Sequence, residues 1–330
     1  MTQASSRRAT LLAAAALSLP LPLRAQSSAA GSFPSRPVRI VVGYPPGQTV
    51  DITARAYGAA LQQAWGKPVV IDNRSGANGI LGAQAVKEAA ADGHTLLFGT
   101  SGQLAINPAI YANLPYSPLT DFVPVAIGAV GRLYLVANKS LPVTNLVELV
   151  ALARAEPGKL AYGSGGNGIT AHLAMEILKG ATGMDILHVP YRGSPAALTA
   201  LLAGEVQLMF DAGALVLPQI REGNIHALAV SSAERFAGLP EVPTVAEQGL
   251  PGFAVMTWSA LAAPAGTPAP VVDLINAAMQ EAGRSEAVAS AIRAGGSEPR
   301  QLSPEAFGAF WRHEVALWSA AAARAGVRPE

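Results

Sequence analysis

The stretch VVGYPPGQTVDITAR (residues 41–55) begins as an apolar strand, turns at a loop with Gly and Pro, and continues with helical spacing. A second stretch, LAYGSGGNGITAHLA (residues 160–174), repeats this order of strand, glycine loop and helix. A helix N-terminus has unpaired N–H groups and about half a positive charge, so it binds anions without a formal cation. For either loop alone, an ordinary capped turn without a ligand explains the pattern about as well as a ligand-binding loop does. The matched pair favours two ligand-binding loops.

Short apolar runs alternate with helical patterns along most of the chain. The run 38–44 precedes a helical pattern over 51–65, and similar units follow at 68–90 and 159–179. Strands that are apolar on both faces and alternate with helices indicate a parallel sheet covered on both sides. Two long C-terminal helical patterns, about 269–293 and 304–325, have no strands of their own. We therefore expect them to pack on the first sheet.

These patterns predict an α/β protein with two lobes around a ligand cleft. The length of 330 residues is compatible with about two domains. We expect lobe 1 to comprise residues 36–132 plus 254–330 and lobe 2 to comprise residues 133–253. The chain is expected to cross between the lobes near 132–138 and 253–263. In open α/β sheets, ligands bind at the carboxyl ends of the strands, where both glycine loops lie.

The N-terminal segment has the features of an export signal at residues 1–25. Arg7 and Arg8 form a positive region, residues 9–19 are apolar, and Ala25 offers a small residue before a cleavage point. Eleven apolar residues are too few to cross a bilayer core, which needs about 20. A twin-arginine route is less favoured because Thr10 stands where that signal usually has Phe. The sequence therefore predicts an exported protein.

The composition excludes several classes of function. Cysteine is absent, which rules out catalytic thiols, disulfides and Cys-ligated metal centres. A chain beginning at Gln26 has 20 basic and 22 acidic residues. This balance leaves no basic surplus for binding nucleic acid, because that affinity depends on neutralising phosphates.

Enzyme motifs are weak or absent in the sequence. GSGGNG (residues 163–168) matches G-x-G-x-x-G, but the next predicted strand ends at Tyr191 without the acid that a dinucleotide site needs. No Ser has Gly at both −2 and +2, as a nucleophile elbow requires. His172 and Glu176 share a helix face but lack a third metal ligand, and His188 is interpreted as structural. Trp258 lies near a predicted crossing and is a candidate to line the cleft.

The order of motifs resembles the Bug-type substrate-binding receptors of tripartite tricarboxylate transporters. The resemblance covers essentially the whole chain after the signal segment. It rests on the stretches RPVRIVVGYPPGQTVDITAR (36–55), VVIDNRSGANGILGAQAV (69–86), DGHTLLFGTSGQLAINPAIYANLPYSPLTDFVPVA (92–126), PGKLAYGSGGNGITAHLAMEIL (157–178), HVPYRGSPAALTALLAGEVQLMFD (188–211) and LPEVPTVAEQGLPGF (239–253).

The resemblance implies a type II periplasmic-binding-protein fold without a cofactor or metal. It implies that closure of the lobes captures a small mono- or dicarboxylate, and that a monomeric receptor delivers it to the membrane permease subunits. An exported sensor that signals to a two-component kinase is the alternative, and a hydrolase that uses the cleft is a third reading. The sequence leaves the identity of the ligand open.

Two positions depart from the family's usual pattern. Gln48 stands where a second Gly is typical, and Ala212 follows Asp211 where many relatives have Asn. Asp51 is interpreted mainly as a helix cap, and Asp211 equally as a cap or as an acceptor for a ligand amine or hydroxyl. Carried over position by position, the expected ligand-binding residues are Tyr44, Gln48, Thr49, Asp51, Gly79, Ser101, Gln103, Ser164, Asn167, Gly168, Thr170 and Asp211.

Overall fold

The computed structural model of the protein describes residues 33–324, so the predicted signal segment lies outside the described part. The described chain contains a six-stranded sheet and a five-stranded sheet. The strands are β1 (Val38–Val42), β2 (Val69–Asn73), β3 (Thr95–Thr100), β4 (Phe122–Arg132), β5 (Tyr134–Asn138), β6 (Ala161–Ser164), β7 (Leu187–Pro190), β8 (Leu208–Asp211), β9 (Ile225–Val230), β10 (Met256–Pro264) and β11 (Ser297–Pro299). The α-helices are α1 (Thr49–Trp65), α2 (Ile80–Lys87), α3 (Asn107–Ile110), α4 (Leu146–Ala155), α5 (Thr170–Thr182), α6 (Ser194–Ala203), α7 (Val216–Arg221), α8 (Ala269–Arg284), α9 (Glu286–Ala294) and α10 (Pro304–Arg324).

Strand β1 lies inside the first sheet because both of its faces are apolar. Ile40 and Val42 belong to one buried cluster with Leu61 of α1, whereas Val41 belongs to another with Ala83 of α2. Alternate side chains of a strand point to opposite faces. Helices α1 and α2 therefore cover opposite sides of this sheet, which confirms the predicted covering of both faces.

Both sheets are mixed, so the predicted parallel pairing is correct only for β1, β2 and β3 and for β6, β7 and β8. The first sheet has the order β11-β4-β10-β3-β1-β2, with β10 antiparallel to β3 and β4. The second has the order β7-β6-β8-β5-β9, with β5 antiparallel to β8 and β9. Strands β5 and β10 are the ones through which the chain enters each sheet from the other. These two strands run opposite to the strands that flank them, and the local sequence pattern carries no sign of it.

The chain passes from the first sheet to the second at Leu133, between β4 and β5. Most residues expected to cross between the sheets therefore lie in strands β5 and β10. Helices α8 and α10 contact β4, which confirms that the C-terminal helices pack on the first sheet. The predicted helix 269–293 is interrupted at Ser285, whose hydroxyl caps α9 by accepting from the Val288 N–H. No helix within residues 33–324 is long and apolar enough to cross a membrane.

Candidate ligand-binding site

A cavity of about 90 Å³ lies where the two lobes meet. The first lobe contributes residues from β3, β4, β10 and the start of α1 to its wall. The second lobe contributes the starts of α5 and α6 and the end of β8. Within the described residues, no Lys, Arg or His lines this cavity. Any anion held there must therefore be bound by neutral hydrogen-bond donors and backbone N–H groups.

Three helices begin at the cavity wall. None of the three has a side-chain hydrogen bond at its N-cap. The first N–H groups of a helix have no partner within it, and the helix dipole adds positive partial charge there. The cavity wall therefore carries donors that suit an anion. The helix residues that supply them are Thr49 and Val50 of α1, Thr170 and Ala171 of α5, and Ser194 of α6.

Asp211 places a carboxylate beside the third of these helix starts. Its side chain accepts hydrogen bonds from the Ser194 hydroxyl and from the N–H groups of Ala212 and Gly213. Burial raises the pKa of Asp211 to about 6, despite these hydrogen bonds. Because Asp211 offsets the positive end of α6, the starts of α1 and α5 remain for a bound anion. The interpretation of Asp211 as a helix N-cap is wrong, because the N-cap of α7 is Leu215.

The two lobes contact each other at the cavity. The hydroxyl oxygens of Ser101 and Thr170 are 2.8 Å apart and share a hydrogen bond between the lobes. Gly168 lies against Ile110 of α3 so closely that a Cβ at this glycine would overlap the Ile110 side chain. Gly168 has a φ of 75°, a conformation that glycine adopts readily. The contact therefore depends on a glycine at position 168.

Gln48 reaches from the first lobe to the second. It lines the cavity, and its Nε2 would lie 2.8 Å from a Cβ built on Gly193. Gly193 has a φ of 101° and directly precedes α6. The Gln48 amide thus occupies the space between the start of α1 and the start of α6.

Tyr44 lines the cavity and is held by polar partners. Its hydroxyl lies 2.9 Å from the Thr100 hydroxyl and donates to Asn78 Oδ1 at 3.0 Å. Burial raises the pKa of Tyr44 well above its usual value, so the phenol stays protonated at neutral pH. It therefore presents a neutral side chain to the cavity.

Asp51 lies outside the cavity and organises the loop in front of α1. Gln48, not Asp51, is the N-cap, so the interpretation of Asp51 as the cap residue needs correction. Asp51 instead accepts hydrogen bonds from the Gly47 N–H at 2.9 Å and from Arg55 Nε at 3.0 Å. Asn73 Nδ2 donates to it at 2.9 Å. Burial opposes ionisation of Asp51, but these hydrogen bonds outweigh it and hold its pKa below the usual range.

Three further expected residues of the first lobe bond to protein and are not part of the cavity wall. Gln103 is fully buried, and its Nε2 donates to the Gly79 carbonyl at 2.7 Å. Gly79 precedes α2 with a φ of 79°. A Cβ at this glycine would lie 2.5 Å from the Gln103 side chain. Ser101 is fully buried and makes the hydrogen bond to Thr170 described above.

Of the expected residues of the second glycine loop, only Thr170 is part of the cavity wall. Ser164 is buried, and its hydroxyl is 2.7 Å from His188 Nε2. Asn167 is exposed, and Gly168 donates its N–H to His172 Nδ1 at 3.0 Å.

The His188 ring stacks between Tyr162 and His172, at centroid distances of 4.7 and 4.1 Å. These contacts confirm His188 as a structural residue.

The stack of aromatic rings has electrostatic consequences. Burial, and to a lesser extent the nearby His172, lowers the pKa of His188 to about 4, so this imidazole is neutral at pH 7. Glu176 accepts from the Tyr162 hydroxyl at 2.6 Å and from Lys179 Nζ at 2.8 Å. Within residues 33–324, no cluster of three or more His, Asp or Glu has a geometry that holds a metal ion.

Several polar residues of the cavity wall were not expected from the sequence. Ser194 could have been found, because it starts a helix after Gly193 just as Thr170 does after the first glycine loop of that lobe. The residues on β10 and β11 have no local signal, because they reach the cavity through antiparallel pairing of β10 with β3 and β4 and of β11 with β4. Trp258, a candidate from the sequence to line the cleft, is part of the cavity wall. The additional polar residues are Thr53, Thr100, Ser194, Thr257, Ser259 and Ser297.

Two α/β lobes that enclose a cavity lined by neutral donors define a solute-binding protein of the periplasmic type. The model of the tripartite tricarboxylate transporter family receptor matches residues 53–326. BugT of Bordetella pertussis is 37% identical over 300 residues, which cover 91% of this chain and 92% of BugT.

Solved structures of this kind superpose closely. The R. palustris protein Rpa4515 with adipate has a TM-score of 0.88 and 38% identity, covering 90% of this chain and 100% of that one. MatC from Rhodopseudomonas palustris with bound malate has a TM-score of 0.83 and 34% identity, covering 88% of this chain and 99% of that one. The chain therefore belongs to the receptor family of the tripartite tricarboxylate transporters. It is a solute-binding receptor with the type II periplasmic-binding-protein fold and not an enzyme.

Proposed function

We propose that this receptor binds a small mono- or dicarboxylate between its lobes, with one carboxylate group at the starts of α1 and α5. One observation carries the proposal: uncapped helix starts from both lobes face a cavity that no Lys, Arg or His lines within the described residues. Neutral donors bind a carboxylate with modest net strength, which suits a receptor that must release it. Relatives solved with adipate and with malate support this ligand class.

Calorimetric titration tests the ligand class directly. The chain without residues 1–25 is titrated with carboxylic acids of increasing length and with the neutral amide of each acid. We expect at least one acid to bind at least 100-fold more tightly than its amide, because only the acid carries the charge that the helix starts stabilise. Equal binding of an acid and its amide, or binding of no acid at all, would contradict the proposal.

Capture is proposed to occur by closure of lobe 1 (residues 36–132 plus 254–330) onto lobe 2 (residues 133–253). The hydrogen bond between Ser101 and Thr170 and the contact of Gly168 with Ile110 support it, because both join the lobes beside the cavity. Small-angle scattering should give a smaller radius of gyration with a saturating acid than without it. An unchanged profile, with binding established by calorimetry, would contradict closure.

The receptor is proposed to act as a periplasmic monomer, after removal of residues 1–25, and to deliver its ligand to the permease subunits of a tripartite tricarboxylate transporter. Membership of the receptor family supports this partner. Cells that lack the receptor should lose uptake of the radiolabelled acid that calorimetry identifies, and the intact gene should restore it. Unchanged uptake together with a lost transcriptional response to the acid would instead assign the protein to signalling through a sensor kinase.

A further inference from the structure

Asp211 is the one acidic residue of the cavity wall within the described part of the chain. Its side chain is buried, with 4% of the residue exposed. The groups that donate hydrogen bonds to it are all neutral: the Ser194 hydroxyl and the N–H groups of Ala212 and Gly213. The wall of the cavity thus combines donor groups at α1 and α5 with a buried acceptor at the end of β8.

The carboxylate of Asp211 retains the capacity to accept a further hydrogen bond. Two carboxylate oxygens provide about four acceptor sites, and the three donors leave one of them open. A second anion next to Asp211 would be repelled strongly, because charges interact more strongly in a poorly solvated interior than in water. A hydroxyl or ammonium group at the same place would be attracted to it.

The fold does not account for Asp211 as a helix cap. Strand β8 ends at Asp211, whereas the following helix begins at Val216 behind a different N-cap residue. The positive end of α6 offsets part of the cost of burying this carboxylate, but all of its hydrogen-bond donors are neutral. A ligand donor at the open acceptor site would offset more of that cost.

We propose that Asp211 accepts a hydrogen bond from a hydroxyl or ammonium group of the bound acid, so the site selects carboxylates that carry such a donor. This inference rests on the proposed function and narrows its ligand class. One end of the ligand is its carboxylate, at the starts of α1 and α5. The other polar group is a donor that Asp211 holds, which orients the acid between the lobes.

Matched sets of acids test the inference by calorimetry. Each set contains the unsubstituted acid, its hydroxyl form and its amino form: propionate, lactate and alanine; succinate, malate and aspartate; benzoate, 2-hydroxybenzoate and 2-aminobenzoate. The wild-type chain is compared with Asp211→Asn and with Asp273→Asn, an exposed aspartate on α8 that serves as the matched control. The quantity measured is the ratio of dissociation constants within a set, which separates selectivity from overall affinity.

We expect the hydroxyl or amino form of at least one set to bind at least tenfold more tightly than its unsubstituted form. Asp211→Asn should reduce this ratio below about threefold, and Asp273→Asn should leave it unchanged. If the two dissociation constants of the wild type differ by less than twofold in every set that binds, the inference is overturned while the proposed function stands. This result needs only the wild-type chain, so it is informative even if Asp211→Asn fails to fold. A ratio that Asp211→Asn preserves would overturn it too. If no acid binds, the proposed function itself fails.

Discussion

The hydroxyl oxygens of Ser101 and Thr170 lie 2.8 Å apart, although 69 positions separate the two residues in the chain. Ser101 follows β3 in the first lobe, and Thr170 is the first residue of α5 in the second. Both residues are buried. The hydrogen bond joins the lobes next to the helix start that we propose holds the ligand carboxylate.

Removal of this hydrogen bond should weaken ligand binding. A neutral hydrogen bond contributes about 0.5–1.5 kcal/mol, so Ser101→Ala should weaken binding of the identified acid by about 2- to 13-fold. Thr170→Val should have an effect of similar size, and the double variant should be no weaker than the weaker single variant. Calorimetric titration of the three variants measures how far the effects of the two substitutions on ligand affinity depend on each other. Additive effects in the double variant would show that the two hydroxyls act independently.

Gln48→Gly tests the residue that departs from the family's usual glycine. Gln48 lines the cavity and reaches toward Gly193, so its amide is placed to bond the ligand and to limit its size. Loss of a bond that leaves a buried partner unsatisfied costs about 1–3 kcal/mol, which predicts a 5- to 150-fold weaker complex with the native ligand. Longer carboxylates should bind better to the variant than to the wild type.

The control for Gln48→Gly is the melting curve, which must show a folded variant. Binding of the native ligand within about twofold of wild type, with an unchanged ligand profile, would show that the side chain does not contact the ligand. In that case only the backbone of this loop would take part in recognition.

Gly168→Ala should impair closure. The new Cβ would overlap Ile110 in the opposite lobe, and a φ of 75° costs an L-residue about 1–2 kcal/mol. We expect at least a tenfold loss of ligand affinity in calorimetry. Adding Ile110→Ala to Gly168→Ala should restore part of the affinity, because the smaller side chain makes room for the new Cβ. An affinity that the second substitution leaves unimproved would show that the overlap is not the cause.

The buried carboxylate of Asp211 predicts a dependence of stability on pH. Its pKa is about 6 in the folded protein, above the ordinary value of 3.8, so the folded state holds this proton more tightly than the unfolded state. The associated stability is present below pH 4 and is lost as the pH rises through 6. Relative to wild type, the free energy of unfolding of Asp211→Asn should therefore rise by about 2 kcal/mol from pH 4 to 7. Urea unfolding at each pH measures the free energy of unfolding of both proteins. If the difference between the variant and the wild type stays the same from pH 4 to 7, the raised pKa of Asp211 is contradicted.

The sequence predicts the helix starts at the cavity because Gly-rich turns followed by helical spacing are local signals. Thr49 and Thr170 follow such turns, and both line the cavity. Ser101 and Gln103 also follow a predicted strand, yet they bond to Thr170 and Gly79. A polar residue at a strand end thus leaves open whether its partner is a ligand or the protein. Thr257 and Ser259 reach the cavity through antiparallel pairing of β10, which depends on contacts between distant parts of the chain.

The central claim is that backbone N–H groups at helix starts bind the ligand's carboxylate, and Thr49 offers the most direct test. Proline suits the first position of a helix but has no N–H, and the preceding Gln48 already has the extended backbone that proline requires. Thr49→Ala removes only the hydroxyl and its methyl group, whereas Thr49→Pro also removes the N–H. Calorimetric titration of both variants with the identified acid therefore isolates the N–H. The account predicts that Thr49→Pro binds about 10- to 150-fold more weakly than Thr49→Ala, as expected for a hydrogen bond to a charged group. Equal affinities of two folded variants would contradict it.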